Sequence, residues 1–81
     1  MRILRIVPHG NHSTEDCVTD VVELTSRGAK VTPLSRTTHK NPKEAREHVR
    51  GRIRTGDANW VEDHINPKLT GTGRDFLTYS E

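Results

Sequence analysis

Apolar residues fall along this chain in short, unequal clusters, and their spacing predicts the elements. Ile3, Leu4, Ile6 and Val7 form a run bounded by Pro8 and Gly10, which reads as a strand over residues 1–7. Apolar positions on both of its faces predict an inner strand, with Arg2 and Arg5 keeping one side partly polar. Between Ser13 and Arg27, the residues Cys17, Val21 and Leu24 share one helical face, which Val18 and Val22 widen. Ser13 with Asp16 forms a shortened capping box, Glu15 and Asp16 suit the positive end of a helix, and Gly28 supplies its stop. The rival pattern is a hairpin, with strands at Val21–Thr25 and Ala29–Ser35 about Ser26-Arg27-Gly28, supported by strand-prone side chains. The helix is the preferred reading, and it makes the first third of the chain a βαβ start with a right-handed crossover.

Ala29–Thr37 reads as a strand that Pro33, lacking a donor, pushes towards a sheet edge. The clearest signal follows it. Asn41 is an N-cap, Pro42 suits the first helical position, and Glu44 the third. Ala45, Val49 and Ile53 then recur at four-residue spacing until Gly56, predicting a helix from Pro42 to about Thr55. Gly51 weakens it by about 1 kcal/mol relative to Ala. Beyond Gly56 the pattern thins: Asn59–Ile65 fits a short helix or a strand, Asn66–Arg74 a loop, and Asp75–Tyr79 a closing strand. Together these give a single α+β domain over residues 1–81, a small sheet of about three strands with one or two helices packed on one face.

Such a sheet has little to bury. Hydrophobic residues make up 30% of the 81, and Trp60, Phe76 and Tyr79 are the only aromatics. The candidate core runs from Ile3, Leu4 and Ile6 through Val18, Val21, Leu24, Val31 and Leu34 to Val49, Val61 and Phe76. A chain this short buries only about 60–65% of its unfolded surface. Cys17 is alone, so no disulfide compensates, whereas a homodimer or a bound partner could. No apolar run reaches the roughly 20 residues of a membrane helix. The stretch Met1–Val7 is too short and carries an Arg where a signal peptide is apolar. A lone thiol without an export signal predicts the cytoplasm.

Charge changes the picture more than composition does. The formal total is only +2, but residues 36–54 hold seven Lys/Arg against Glu44 and Glu47, a local +5, and the remainder carries −3. On a helical wheel Lys43, Arg46, Arg50 and Arg54 gather within an arc of about 80°, beside the Ala45/Val49/Ile53 face. Cations stacked in this way repel one another, and a polyanion would relieve the repulsion. Arg outnumbers Lys in this stretch, which favours bidentate contacts to phosphate. The alternative is a solvated basic face partly balanced by Glu44 and Glu47. Few aromatics interleave with the cations, so backbone recognition of a duplex fits better than base stacking.

Other chemistry is thin. His9 and His12, three residues apart in a Pro/Gly loop, could assist an anion at a helix start, but lack the partners of a structural zinc site. Cys17 would lie near a helix N-terminus yet on its apolar stripe, beside Glu15 and Asp16, and so reads as a buried, inert thiol. Val61-Glu62-Asp63-His64-Ile65-Asn66-Pro67 resembles the first part of the HNH nuclease motif. That resemblance implies Asp63 as a metal ligand and His64 as general base, but the later Asn and His of the motif have no counterpart, since no His follows His64.

The expectation is a non-catalytic protein without cofactor that binds nucleic acid, an acidic surface or a nucleoprotein through the basic helix and the loop before it. Arg36, Lys40, Lys43, Arg46, Arg50, Arg52 and Arg54 would contact phosphates, with His39 and His48 as pH-sensitive auxiliaries. The second expectation is a small interaction protein of the phage-accessory kind, such as an anti-CRISPR antagonist, that docks on a host complex and inhibits it. A metal-dependent nuclease fragment is the third.

Overall fold

The computed structural model describes residues 1–79. Strand β1 (Arg2–Pro8) lies inside a five-stranded sheet of order β3-β2-β1-β4-β5. Strands β2 (Thr19–Arg27) and β3 (Lys30–His39) follow β1 as an antiparallel meander. Helix α1 (Pro42–Arg54) then carries the chain back across the sheet to β4 (Trp60–Asp63), which pairs parallel to β1. A 3₁₀ turn at Pro67–Leu69, the two-residue β5 (Gly71–Thr72) and the short helix α2 (Gly73–Tyr79) complete it.

The α+β class and the one-sheet, helices-on-one-face layout hold, with more strands than the periodicity predicts. The helix expected over residues 13–27 does not form. Residues 9–18 are a loop, and the following segment is β2, so the chain begins as a meander and not as a βαβ unit. The physical reason is a strand with polar residues buried on both faces. Thr19, Asp20 and Glu23 are all buried, so the two-residue alternation Thr19/Val21/Glu23 against Asp20/Val22/Leu24 is hidden from a hydrophobicity count. Thr19, Val21, Val22 and Thr25 are β-branched and fit the pleat, and a hairpin with β3 forms as in the rival reading, but with longer strands and the loop at Gly28-Ala29 instead of Ser26-Arg27-Gly28. Pro33 does sit on an edge strand, where the register slips between Glu23 and Leu24.

Asp75–Tyr79 is likewise helical rather than extended. The Thr72 hydroxyl accepts the Asp75 amide at 3.1 Å, so Thr72-x-x-Asp75 starts α2 as a capping pair. Gly73 lets α2 approach α1 closely: a Cβ there would lie 2.9 Å from Ile53 Cγ2.

The helix over residues 42–54 forms as its signals predict, with the Asn41 side chain accepting the Glu44 amide. Its Ala45 and Val49 press onto Leu4, Ile6, Val21, Val61 and Phe76, with Ile53 at the margin. No described helix lies over the opposite sheet face. Ile3 and Leu24 are nonetheless buried there, while Val18, Val31 and Leu34, expected in the core, are exposed.

Candidate nucleic-acid interface

Three carboxylates, Asp20, Glu23 and Asp63, are buried in the sheet. A buried carboxylate survives only with partners, and each of these draws in at least one arginine. Asp63 takes Arg46: Nε donates at 2.9 Å to one oxygen, while the other accepts the backbone amides of Ile65 and Asn66. Arg46 also reaches Glu15 at 2.9 Å, tying α1 to β4 and to the loop before β2, and only 12% of its side chain is exposed. Burial alone would lower the Arg46 pKa, but the hydrogen bonds and charges of Glu15 and Asp63 outweigh it and raise it. Glu23 holds Arg2 at 3.1 Å and Arg52 as well, and Arg52 Nε donates to Asp57 at 3.2 Å.

Asp20, on the uncovered face, accepts the Thr38 hydroxyl at 2.7 Å and His9 Nδ1 at 3.1 Å, with Arg36 Nε at 3.5 Å. Burial pushes the Asp20 carboxyl up, but these hydrogen bonds and the His9 and Arg36 charges outweigh it and hold it below the ordinary carboxylate value.

The expected cationic row therefore divides. Arg46, Arg50 and Arg52 do not form part of an outward ridge, because each is spent on a carboxylate of its own fold. Arg50 pairs with Glu47 at 2.6 Å and is mostly buried, its Nε without a partner among the described residues. Lys43 and Arg54 are exposed on α1, interleaved with the exposed Glu44 and Glu47. Arg36, with 62% of its side chain exposed, and Lys40, in the turn before α1, also stay outside. His39 and His48 sit ring to ring, with centroids 4.8 Å apart. Burial first, then the His39 and Arg52 charges, hold the His48 imidazole below its ordinary value, against a smaller pull from Glu23.

Cationic charge that stays exposed concentrates elsewhere. Residues 24–43 contain five Lys/Arg and no Asp or Glu: Arg27, Lys30, Arg36, Lys40 and Lys43. Strand β3, the edge of the sheet, is exposed at every position from Lys30 to Thr38. Arg27 and Lys30 stand directly opposite each other across the hairpin, beside the Thr25–Thr32 pair, and these four side chains line a cleft of about 300 Å³. Arg27 and Lys30 escaped the charge count because the window of highest density began at Arg36. An acid-free run, not a maximum of cations, was the signal that could have found them.

The remaining candidates find other roles. Asp63 has both oxygens engaged within the fold, so the metal-ligand position implied by the HNH resemblance is occupied by structural contacts. His64 is exposed, 3.5 Å from Glu62, which also accepts Arg5 at 2.7 Å. These residues border a shallow cleft of about 590 Å³ walled by Trp60 and Pro67. Cys17 is half-buried in a loop, 3.7 Å from the Thr19 hydroxyl, with no helix N-terminus beside it. No described helix is long and apolar enough to cross a membrane. Comparison with known proteins finds no matching family model, curated protein or solved structure.

Proposed function

We propose that the protein is a non-catalytic module that binds the phosphate backbone of nucleic acid, alone or within a nucleoprotein, along β3 and the turn into α1. The observation that carries this reading is the acid-free segment 24–43, in which Arg27 and Lys30 flank the hairpin turn, Arg36 lies on edge strand β3, Lys40 and Lys43 follow it, and all five are exposed. Lys30 and Arg36 pair with Arg27 and Val22, five residues apart on β2, so at about 3.3 Å per residue they stand about 17 Å apart along the edge. That distance spans about five phosphates of one DNA strand. Thr32 and Ser35, on the same face of the edge as Lys30, add hydroxyl donors of the kind that fix register on a backbone without reading sequence.

The test is duplex affinity against salt. Neutralising about four phosphates lowers affinity about 100-fold between 50 and 200 mM salt, and Lys40→Glu with Lys43→Glu should flatten that slope. A flat response in the unaltered protein would sink the reading. The alternative, docking on a protein complex, is favoured by the uncovered sheet face, where Trp60 is half-buried and Val31 and Leu34 are exposed. A stoichiometric protein complex indifferent to salt would support it instead.

A further inference from the structure

The far end of the β2–β3 hairpin is built differently from the rest of the edge. A two-residue loop, Gly28-Ala29, joins the strands, with Gly28 at φ +59°. That is the first loop position, which a type II′ turn reserves for glycine. So tight a connection fixes Arg27 directly opposite Lys30 and Thr25 directly opposite Thr32. Alternation along β2 places Thr25 and Arg27 on the same face as Val21 and Glu23, the face that α1 covers further along the strand. Four side chains, two cationic and two hydroxylic, thus line one cleft of about 300 Å³, with no carboxylate among them.

Like charges directly opposite in a sheet repel. Elsewhere in the sheet the cations Arg2, Arg5 and Arg36 each meet a carboxylate. The nearby carboxylates are already taken: Glu23 by Arg2 and Arg52, and Asp57 by Arg52 and the Thr55 hydroxyl. Among the described residues, Arg27 and Lys30 have no ion-pair partner at all. The cleft therefore holds two uncompensated positive charges and two hydroxyl donors, held in place by the turn.

Resting on the reading of this edge as a phosphate-binding surface, we propose that the cleft of Thr25, Arg27, Lys30 and Thr32 seats a single terminal phosphate group. A terminal phosphate carries more charge per group than an internal phosphodiester, and its oxygens can accept from both cations and both hydroxyls together. The guanidinium offers a two-pronged contact, the ammonium a point charge, and the threonines orient the remaining oxygens. A chain end bound here would continue along β3 past Ser35, which shares the face of Lys30 and Thr32.

The experiment is an amide-resolved NMR titration of the full chain at constant ionic strength with three probes: inorganic phosphate, a 5′-phosphorylated oligonucleotide, and the same oligonucleotide lacking that phosphate. Saturable shifts confined to residues 25–32 are expected with inorganic phosphate, shifts centred there and extending along β3 with the phosphorylated oligonucleotide, and an affinity about tenfold weaker or worse with the third. If inorganic phosphate saturates the cleft as tightly as the phosphorylated oligonucleotide, the seat is for the free ion. If only the phosphorylated oligonucleotide saturates it tightly, the seat is for a chain end. Arg27→Gln with Lys30→Gln should abolish the saturable shifts while leaving the dispersion of the spectrum intact, and Thr25→Val with Thr32→Val should weaken them. Weak, linear shifts spread over all lysines and arginines, or saturation unchanged in the charge-neutral variant, would overturn the seat. Salt-sensitive duplex binding through Lys40 and Lys43 would survive that outcome, so the two readings fail separately.

Discussion

Helix α1 carries five Lys/Arg and the β2–β3 hairpin three, and the two regions use them in opposite ways. On α1, Arg46, Arg50 and Arg52 turn inward or sideways to Asp63, Glu15, Glu47 and Glu23, and the charge is consumed in holding the fold. On the hairpin, Arg27 and Lys30 face each other with no ion-pair partner among the described residues. The difference is not in the side chains but in where the fold delivers carboxylates. A sequence window counts charges, whereas only the tertiary fold decides which of them are still available to a partner.

The sharpest way to break this comparison is to remove the arginine that α1 gives to the interior. Arg46→Met leaves the fully buried Asp63 carboxylate without its ion-pair partner, and should cost about 3–5 kcal/mol of unfolding free energy. Chemical denaturation followed by the fluorescence of Trp60, the single tryptophan, measures it. Adding Asp63→Asn should recover part of the loss, because an amide oxygen still accepts from Ile65 and Asn66 without carrying charge. Strict additivity would mean that the two residues do not act as a pair.

Arg52→Gln should cost less, about 1–3 kcal/mol, since Glu23 keeps Arg2 as a second partner. The same denaturation experiment checks it. A loss as large as that of Arg46→Met would place the main anchor of α1 on β2 rather than β4.

His48 gives a third contrast, this time through pH. Its folded imidazole lies below the ordinary value near 6.5, so the unfolded chain takes up the proton first as pH falls. Its contribution is therefore fully present above that value and declines as pH drops from about 6.5 towards the folded pKa. Unfolding free energy measured from pH 7.5 to 5 should fall more steeply in the natural protein than in His48→Gln. Parallel curves would show that burial beside His39 and Arg52 leaves the ring unperturbed.

How much of this could be read from the sequence depends on whether neighbours in the chain or neighbours in space decide the outcome. Helix α1 was legible because its signals are local: Asn41 caps, Pro42 opens, and Ala45 and Val49 repeat on one face. The edge position of β3 was legible from Pro33 for the same reason. Strand β2 was not, because Asp20 and Glu23 are polar residues placed inside the sheet by partners that lie 11 to 29 positions away. The division of the basic row follows from the same physics: Glu15 and Asp63 reach Arg46 from 31 and 17 residues away, beyond any local pattern.

The smallest effect separates the regions most cleanly. Arg27→Gln with Lys30→Gln removes two charges from the hairpin that no described carboxylate answers. Surface changes away from buried networks usually stay within about 0.5 kcal/mol, and here the sign should be favourable, because a like-charge pair is relieved. The gain should be largest at low ionic strength and fade as salt screens the repulsion over about 10 Å at 0.1 M. Saturating phosphate should reverse the ranking, stabilising the natural protein and not the variant. A substantial loss of stability in the variant without any anion would show that these cations, like those of α1, are committed to the fold, and the division between the two regions would collapse.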